Sequence, residues 1–395
     1  MSYNPHNLPT DVRFCTRCVM SNQRPCSVVE REALPGAPKP TIAFDADGVC
    51  SACRYADVKA KIDWETRGEL LRELATQMRS KVGNYDCIVP GSGGKDSVFA
   101  AHKLREYGFN PLTVTWAPHI YTDVGWRNMQ RWQRDFDNIL VTPRGSTHRL
   151  LTRLAFLNLM HPFQPFVIGQ RQIGPRIASQ YGVPLVFYGE NPAEYGNDIK
   201  GNDSPLMDRE FFTGSPLPHD LTLGGVSGRD LMRLHDVTVQ DLRPYLPLWT
   251  GAASCVDVHY LGYYLRWDPQ EAYYLAAAHG FEANTERTQG SYSKYSSIDD
   301  KIDPLMYFCT LAKFGIGRAT YDASQEIRNG KIERDEGVAL VRRYDQEVPS
   351  KYMNEILAYM DITAERFAEC IDAERPGHLW ENVNGAWRLR HQVAA

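Results

Sequence analysis

The residues of this sequence most able to do chemistry lie in Val89-Pro90-Gly91-Ser92-Gly93-Gly94-Lys95-Asp96-Ser97. Apolar residues precede them and an amphipathic stretch follows, so a strand, a tight turn and a helix are expected in that order. Small residues such as Gly93 and Gly94 let the backbone curl close to an anion. The helix then aims unpaired N–H groups and its positive dipole end at phosphate. Ser92 and Ser97 can add hydroxyl donors, Lys95 a mobile cation, and Asp96 a carboxylate for Mg2+. The expected chemistry is a grip on nucleotide phosphates. The G-x-x-x-x-G-K-[ST] and G-x-G-x-x-G spacings are both absent, and the competing reading is a Gly-Ser turn that merely reverses the chain.

Cys15-x-x-Cys18 and Cys50-x-x-Cys53 form two pairs that can each present two thiolates to one ion, so a structural, tetrahedral Zn2+ site is expected. The gap between the pairs is longer than usual for such a site, and a loop absorbs the difference cheaply. Cys26 could replace one ligand. A redox pair is the rival, but it would normally sit in a βαβ context. Cys87, Cys255, Cys309 and Cys370 lie in apolar stretches and are expected in the core.

Other candidates cluster later. Tyr188-Gly189-Glu190-Asn191 and Glu194-Tyr195-Gly196 follow an expected strand, at the edge where open α/β sheets gather ligands. Their carboxylates could orient substrate or metal, although surface loops also collect such residues. Ser297-Ile298-Asp299-Asp300-Lys301 and Lys313-Phe314-Gly315-Ile316-Gly317-Arg318 belong to a helical C-terminal part. Lys313 and Arg318 flank a Gly-rich turn and could hold a departing pyrophosphate; Lys313 could equally be a helix-end cation. The histidines show no metal spacing. The tryptophans and tyrosines of 245–274 could stack on a base, with core packing the alternative.

The elements that must hold these residues follow from periodicity. Strands are expected at Asp86–Pro90, Leu112–Trp116, Ile139–Val141 and Pro184–Tyr188, with an aromatic strand over Val256–Leu265. Helices are expected at Glu65–Ser80, Asp96–Tyr107, Gly125–Asp135, Leu150–Met160 and Gly174–Tyr181. Beyond these, helices are predicted over Pro269–Gly280, Pro304–Phe314, Arg318–Asn329 and Arg334–Tyr344, with more after Ser350. Strands separated by helices of this length predict a doubly wound parallel α/β sheet. The expected organisation is a cysteine-rich module over 1–60, a linker helix over 61–83 and a nucleotide-binding domain over 84–200. An insertion or lid over 201–250 and a mostly helical part over 251–395 complete it.

With 395 residues and a formal charge of −4, the chain can build proper cores and lacks the basic excess of a dedicated nucleic-acid binder. No apolar run of membrane-spanning length and no leader pattern is present, so a reducing, cytoplasmic setting is expected.

The loop resembles the S-G-G-x-D-S signature of the PP-loop ATP pyrophosphatases, which cleave between the α and β phosphates and form adenylated intermediates. Further matches are C-T-R-C-V-M at Cys15–Met20 and F-D-A-D-G-V-C-S-A-C at Phe44–Cys53. Y-D-C-I-V-P-G-S-G-G-K-D-S at Tyr85–Ser97, Y-G-E-N-P-A-E-Y-G at Tyr188–Gly196 and K-F-G-I-G-R-A-T at Lys313–Thr320 complete the set. Over nearly its whole length the chain thus resembles the N-acetyl sugar amidotransferases, which are related to the pseudaminic-acid amidotransferases of bacterial surface-sugar biosynthesis. The resemblance implies an adenine-nucleotide α-hydrolase-like fold using ATP and Mg2+. It also implies conversion of an N-acetyl group on a nucleotide-activated sugar to an acetamidino group through an adenylylated imidate. Lys95, Asp96, Lys313 and Arg318 would then serve catalysis, Glu190 the nucleotide, and Glu190, Asn191, Glu194 and Tyr195 the substrate. No catalytic cysteine follows Met1 and no G-x-C-x-G elbow occurs. A separate glutaminase subunit, with a cyclase-like barrel subunit, is therefore the implied ammonia source. Two alternatives stay open: a PP-loop tRNA-modifying enzyme of thiolase or lysidine-synthetase type, and a non-catalytic scaffold with a dead nucleotide fold.

Overall fold

In the computed structural model, which describes residues 3–79, 84–197, 204–251 and 255–394, five short strands carry the architecture. They are β1 (Cys87–Pro90), β2 (Pro111–Trp116), β3 (Asn138–Val141), β4 (Leu185–Tyr188) and β5 (Asp257–Tyr260). They pair in the order β3-β2-β1-β4-β5, every pairing parallel. Two-residue alternation sends the strand side chains to opposite faces. Ile88, Val114 and Val186 join one apolar cluster, while Cys87, Val89 and Phe187 join another. Helices cover both faces, as the sequence pattern predicts for a buried parallel sheet.

The first face is covered by α6 (Gln164–Tyr181), which packs on β1, β2 and β4. Residues 174–181 of this helix were expected; the structure starts it at Gln164, with Pro165 in its first turn. Pro175 inside the helix masks the periodicity, because proline removes a backbone donor there. Gly174 lets the helix close on the sheet: a Cβ at this position would lie 2.6 Å from Pro90 Cγ. The opposite face is covered by α3 (Lys95–Glu106), and a helix over Pro269–Ala278 packs against α3 in turn. Asp268 caps that later helix, accepting from Gln270 and Glu271 N–H groups at 2.9 and 3.1 Å, as its Asp-Pro-Gln-Glu start predicts.

Two expectations change and a third gains a detail. Val256–Leu265 is not one aromatic strand; β5 ends at Tyr260, and Leu261–Tyr264 turns helical. The segment read as an insertion or lid contributes Phe212, Leu221, Leu223, Leu231, Leu242 and Tyr245 to the core on the α6 face. Its short, irregular elements concealed how much apolar surface they bury. The mostly helical C-terminal part also ends in an antiparallel hairpin, Trp380–Val383 with Ala386–Leu389.

The helix read as a linker, Trp64–Met78, starts at an Asp63 cap and buries Leu71 and Ala75 against the α3 side of the core. Its expected end at Ser80 lies outside the described residues, as does the expected boundary at 200. The cysteine-rich module has little core of its own. Cys15, Cys18, Cys50 and Cys53 share one apolar cluster with Leu311, Phe314, Ile316 and Trp380, as a piece too small to stand alone must. Among the described residues, no helix is long and apolar enough to cross a membrane.

Candidate functional site

The chain leaves β1 to form a turn at Gly91–Gly94 and enters α3 at Lys95. Between β1 and β4 the winding direction of the sheet reverses, since β2 and β3 lie on one side of β1 and β4 and β5 on the other. Loops diverge at such a switch point and leave a crevice beyond the strand ends. A cavity of about 460 Å3 opens there, lined from β1 by Ser92, Gly94, Asp96 and Ser97 and from β4 by Gly189 and Glu190.

The turn has no room for a side chain at Gly91 or Gly93. A Cβ at Gly91 would stand 2.2 Å from Ser97 Cβ, and Gly93 adopts φ +79° with the Asn128 carbonyl 2.8 Å from where a Cβ would sit. Ser97 Oγ donates to the Gly94 carbonyl at 2.9 Å, and Ser92 Oγ donates to Asp299 Oδ2 at 2.5 Å. Lys95 Nζ reaches both Asp96 carboxylate oxygens at 2.7 and 2.6 Å and lies over the rings of Trp267 and Tyr295. Trp267 Nε1 also donates to Asp96 Oδ1 at 3.3 Å. Lys95 is buried behind Asp96 and does not line the cavity.

Asp299, to which the sequence reading gave no role, forms part of the cavity wall. Its neighbour Asp300 pins the segment to the chain after β2: Asp300 Oδ2 accepts from the His119 backbone N–H at 2.7 Å, and Thr122 N–H donates to the Asp299 carbonyl at 3.1 Å. The two segments are far apart in sequence, so no local pattern could reveal the contact. Burial pushes the Asp299 carboxyl up to about 6, against the lowering effect of Ser92 and with help from Asp303, Asp300 and Asp96. Asp96 and Asp299 therefore offer two hard oxygen donors beside the phosphate turn, a donor set that suits Mg2+.

Across the cavity, Glu190 accepts a hydrogen bond from Tyr195, which also lines the cavity. Burial and the nearby Asp96 push the Glu190 carboxyl up to about 7, while Lys95, Tyr195 and Arg318 pull it down. A carboxyl raised in the folded state stabilises the fold below its unfolded value near 4.5, and that contribution is lost as pH rises to about 7. Glu190→Gln escapes this loss. Its melting temperature relative to the parent should therefore climb between pH 5 and 7, by on the order of 2–4 °C, and stay level above. A pH-independent difference in thermal unfolding would contradict the assigned burial.

Other expected site residues fall elsewhere. Asn191 caps the short turn after it, accepting from Ala193 N–H at 3.0 Å, and lines a neighbouring cavity. The Glu194 carboxylate lines neither cavity: it is buried on Lys59 at 2.7 Å, while Lys59 also donates to the Trp267 carbonyl at 2.5 Å. Lys313 ends its helix buried, donating to the Leu159 carbonyl at 2.8 Å and lining a separate cavity of about 640 Å3. It is not brought to the phosphate turn. Arg318 stands behind the wall, paired with Asp322 at 3.0 Å and donating to Tyr307, and its charge acts on Glu190. Sequence spacing put Lys313 and Arg318 on one turn, but helix geometry sends them apart, Lys313 to the separate cavity and Arg318 behind the wall of the first.

The four cysteines of the two pairs are all buried, and their sulfurs lie within 4.8 Å of one another. Cys15–Cys53 and Cys18–Cys50 sulfur separations are both 3.8 Å. Four thiolates about 2.3 Å from one tetrahedral ion are spaced about 3.8 Å apart, so the set fits a single ion. Backbone N–H groups of Arg17, Cys18 and Cys50 point at Cys15 Sγ at 3.4–3.5 Å. Cys26 stands outside the cluster and lines the larger neighbouring cavity. Cys87, Cys309 and Cys370 are core residues, but Cys255 is exposed, because the chain turns inward only at Val256.

Residues 289–393 match the family described as LPS biosynthesis protein WbpG-like, C-terminal domain. The matched stretch contains Asp299, Lys313 and Arg318. A search of curated proteins found no match. Among solved structures, the chain is similar to the NMN synthetase from Francisella tularensis, with a TM-score of 0.33 and 10% identity over 78% of this chain and 97% of that one. It is also similar to the U34-tRNA thiolase NcsA from Methanococcus maripaludis with its [4Fe-4S] cluster, with a TM-score of 0.31 and 13% identity over 71% and 80%. Likeness at these scores carries no argument about chemistry.

Proposed function

We propose, for a chain that carries at residues 289–393 the C-terminal domain of the WbpG-like LPS biosynthesis proteins, that it is an ATP-dependent, AMP-forming amidotransferase. Its substrate is the N-acetyl group of a nucleotide-activated sugar, and its product is the acetamidino group. The observation that carries this reading is the phosphate turn facing a half-buried carboxyl, Glu190, across one cavity.

An amide carbon is a poor electrophile until its oxygen becomes a leaving group. The amide oxygen attacks the α-phosphorus of ATP, the α–β bridge breaks, and pyrophosphate departs. Turn N–H groups, the start of α3 and the Ser92 and Ser97 hydroxyls stabilise the charge that develops on the phosphates, while Lys95, behind Asp96, fixes that carboxylate beside them. Asp96 and Asp299 would hold Mg2+, which when bound neutralises phosphate charge. Ammonia then adds its lone pair to the imidate carbon, its extra proton passes to Glu190, and the carbon–oxygen bond to AMP breaks. A carboxyl near 7 suits that task, because it exists partly as base at neutral pH and returns the proton readily. The rest is positioning. A partner glutaminase, with a cyclase-like barrel subunit, supplies the ammonia. Zn2+ on Cys15, Cys18, Cys50 and Cys53 is structural, since four thiolates leave no open position for water.

The test is incubation with ATP, Mg2+, ammonium and a panel of nucleotide-linked diacetamido sugars. AMP should form together with a sugar in which NH replaces one oxygen by mass spectrometry. Glutamine should not replace ammonium for the single chain. AMP formed only with tRNA, with steeply salt-sensitive tRNA binding, would replace this reading with RNA modification.

A further inference from the structure

Two arginines at the phosphate cavity, Arg24 buried and Arg171 half-buried, have no ion pair among the described residues. Arg24 is only 6% exposed, and its Nε has no hydrogen-bond partner. Nη1 reaches Asn197 Oδ1 at 3.5 Å, and the guanidinium lies 5.8 Å from the centre of the Tyr321 ring. Arg171, in the middle of α6, has no hydrogen bond or ion pair from its side chain among the described residues and lies over the Phe211 ring at 4.9 Å. Both line the phosphate cavity. Arg171, with Ser27, Asn197 and Tyr260, also lines the neighbouring cavity of about 1130 Å3, so it stands on the wall the two share.

A buried cation is costly unless paired, and the carboxylates that line the phosphate cavity have other partners: Asp96 holds Lys95, Glu190 accepts from Tyr195 and Asp299 accepts from Ser92. The phosphate turn already has its own donors in backbone N–H groups, hydroxyls and the start of α3. Planar guanidinium forks are matched to phosphate oxygens.

We propose that Arg24 and Arg171 form a second anion subsite, separate from the phosphate turn, that holds the phosphate or diphosphate of the acceptor where the two cavities meet. This rests on the reading that ATP occupies the turn while a phosphate-bearing acceptor occupies the larger cavity. The subsite anchors the acceptor by its charged end, so its acetamido group can swing toward the α-phosphate.

The experiment is calorimetric titration of inorganic pyrophosphate, in excess Mg2+, into the full chain with the turn either empty or saturated with α,β-methylene-ATP. Pyrophosphate should still bind once the turn is filled. In that arm Arg171→Gln and Arg24→Gln should each weaken it about tenfold or more, the value of one charge-assisted contact. Binding of α,β-methylene-ATP should weaken by clearly less than pyrophosphate binding, because neither arginine shares a hydrogen bond or ion pair with a residue of the turn. Arg171 is half-buried and unpaired, so its replacement should fold. Arg24→Lys, which keeps the charge, should recover part of the affinity and separates charge loss from misfolding. Loss of pyrophosphate binding once the turn is filled would overturn the proposal. So would variants that weaken the ATP analogue as much as pyrophosphate, or that leave both unchanged. No turnover is read, so an absence of amidine product would count against the proposed reaction and not against this subsite.

Discussion

Asp96→Asn should lower ATP-dependent AMP formation by ~10^2–10^3-fold, the usual consequence of removing one preorganised electrostatic element from a reaction centre. The expectation is strong because Asp96 has two partners to lose. Its carboxylate is one of two oxygen donors beside the phosphate turn, and it holds Lys95 Nζ at 2.6–2.7 Å while Trp267 Nε1 donates to it at 3.3 Å. Asparagine keeps the shape and the Trp267 contact but removes the charge that positions Lys95 and attracts the metal. Lys95→Ala should produce a loss of similar size by the complementary route. AMP release is the readout, measured beside thermal unfolding, since Lys95 is buried and a change in its pairing also touches the fold. Full activity in both variants would refute the roles assigned to the turn.

The second large effect is on the cysteine cluster. Cys15→Ser, or chelation of the parent protein, should remove bound metal and unfold the N-terminal module. Metal binding at structural sites of this kind is worth on the order of 10 kcal/mol, comparable with the whole stability of an ordinary domain. The damage should spread, because the cysteine knuckles share their apolar cluster with Leu311, Phe314 and Trp380 of the C-terminal part. The module also carries Arg24 and Ser27, which line the phosphate cavity, and Lys59, which holds Glu194 and the Trp267 carbonyl. Loss of metal should therefore lower activity as well as solubility, although no cysteine of the cluster touches the cavity. Metal analysis with circular dichroism checks this. Unchanged metal content in Cys15→Ser would exclude this ligand set.

These two effects differ in kind. One acts on charge at the reacting phosphates and leaves the architecture standing. The other removes the clasp that ties the first sixty residues to the last ninety, and the cavity loses a wall.

The sequence by itself determined what is local. The turn between β1 and α3 was legible because small residues, a strand and a helix start follow one another along the chain. The two cysteine pairs were legible because their spacing is itself the geometry of a knuckle. The parallel sheet was legible because short apolar runs recur between helices. Tertiary structure decided whatever depends on distant segments meeting. Asp299 reaches Ser92 because Asp300 pins its segment beside β2. Arg24 arrives on the cysteine module and Arg171 on the sheet-facing helix α6. Lys313 and Arg318, five residues apart, part company because one ends a helix and the other begins the next. The physical reason is common to all: periodicity and turn chemistry act within a few residues, whereas the pairing or isolation of a buried charge is settled only when the chain has packed.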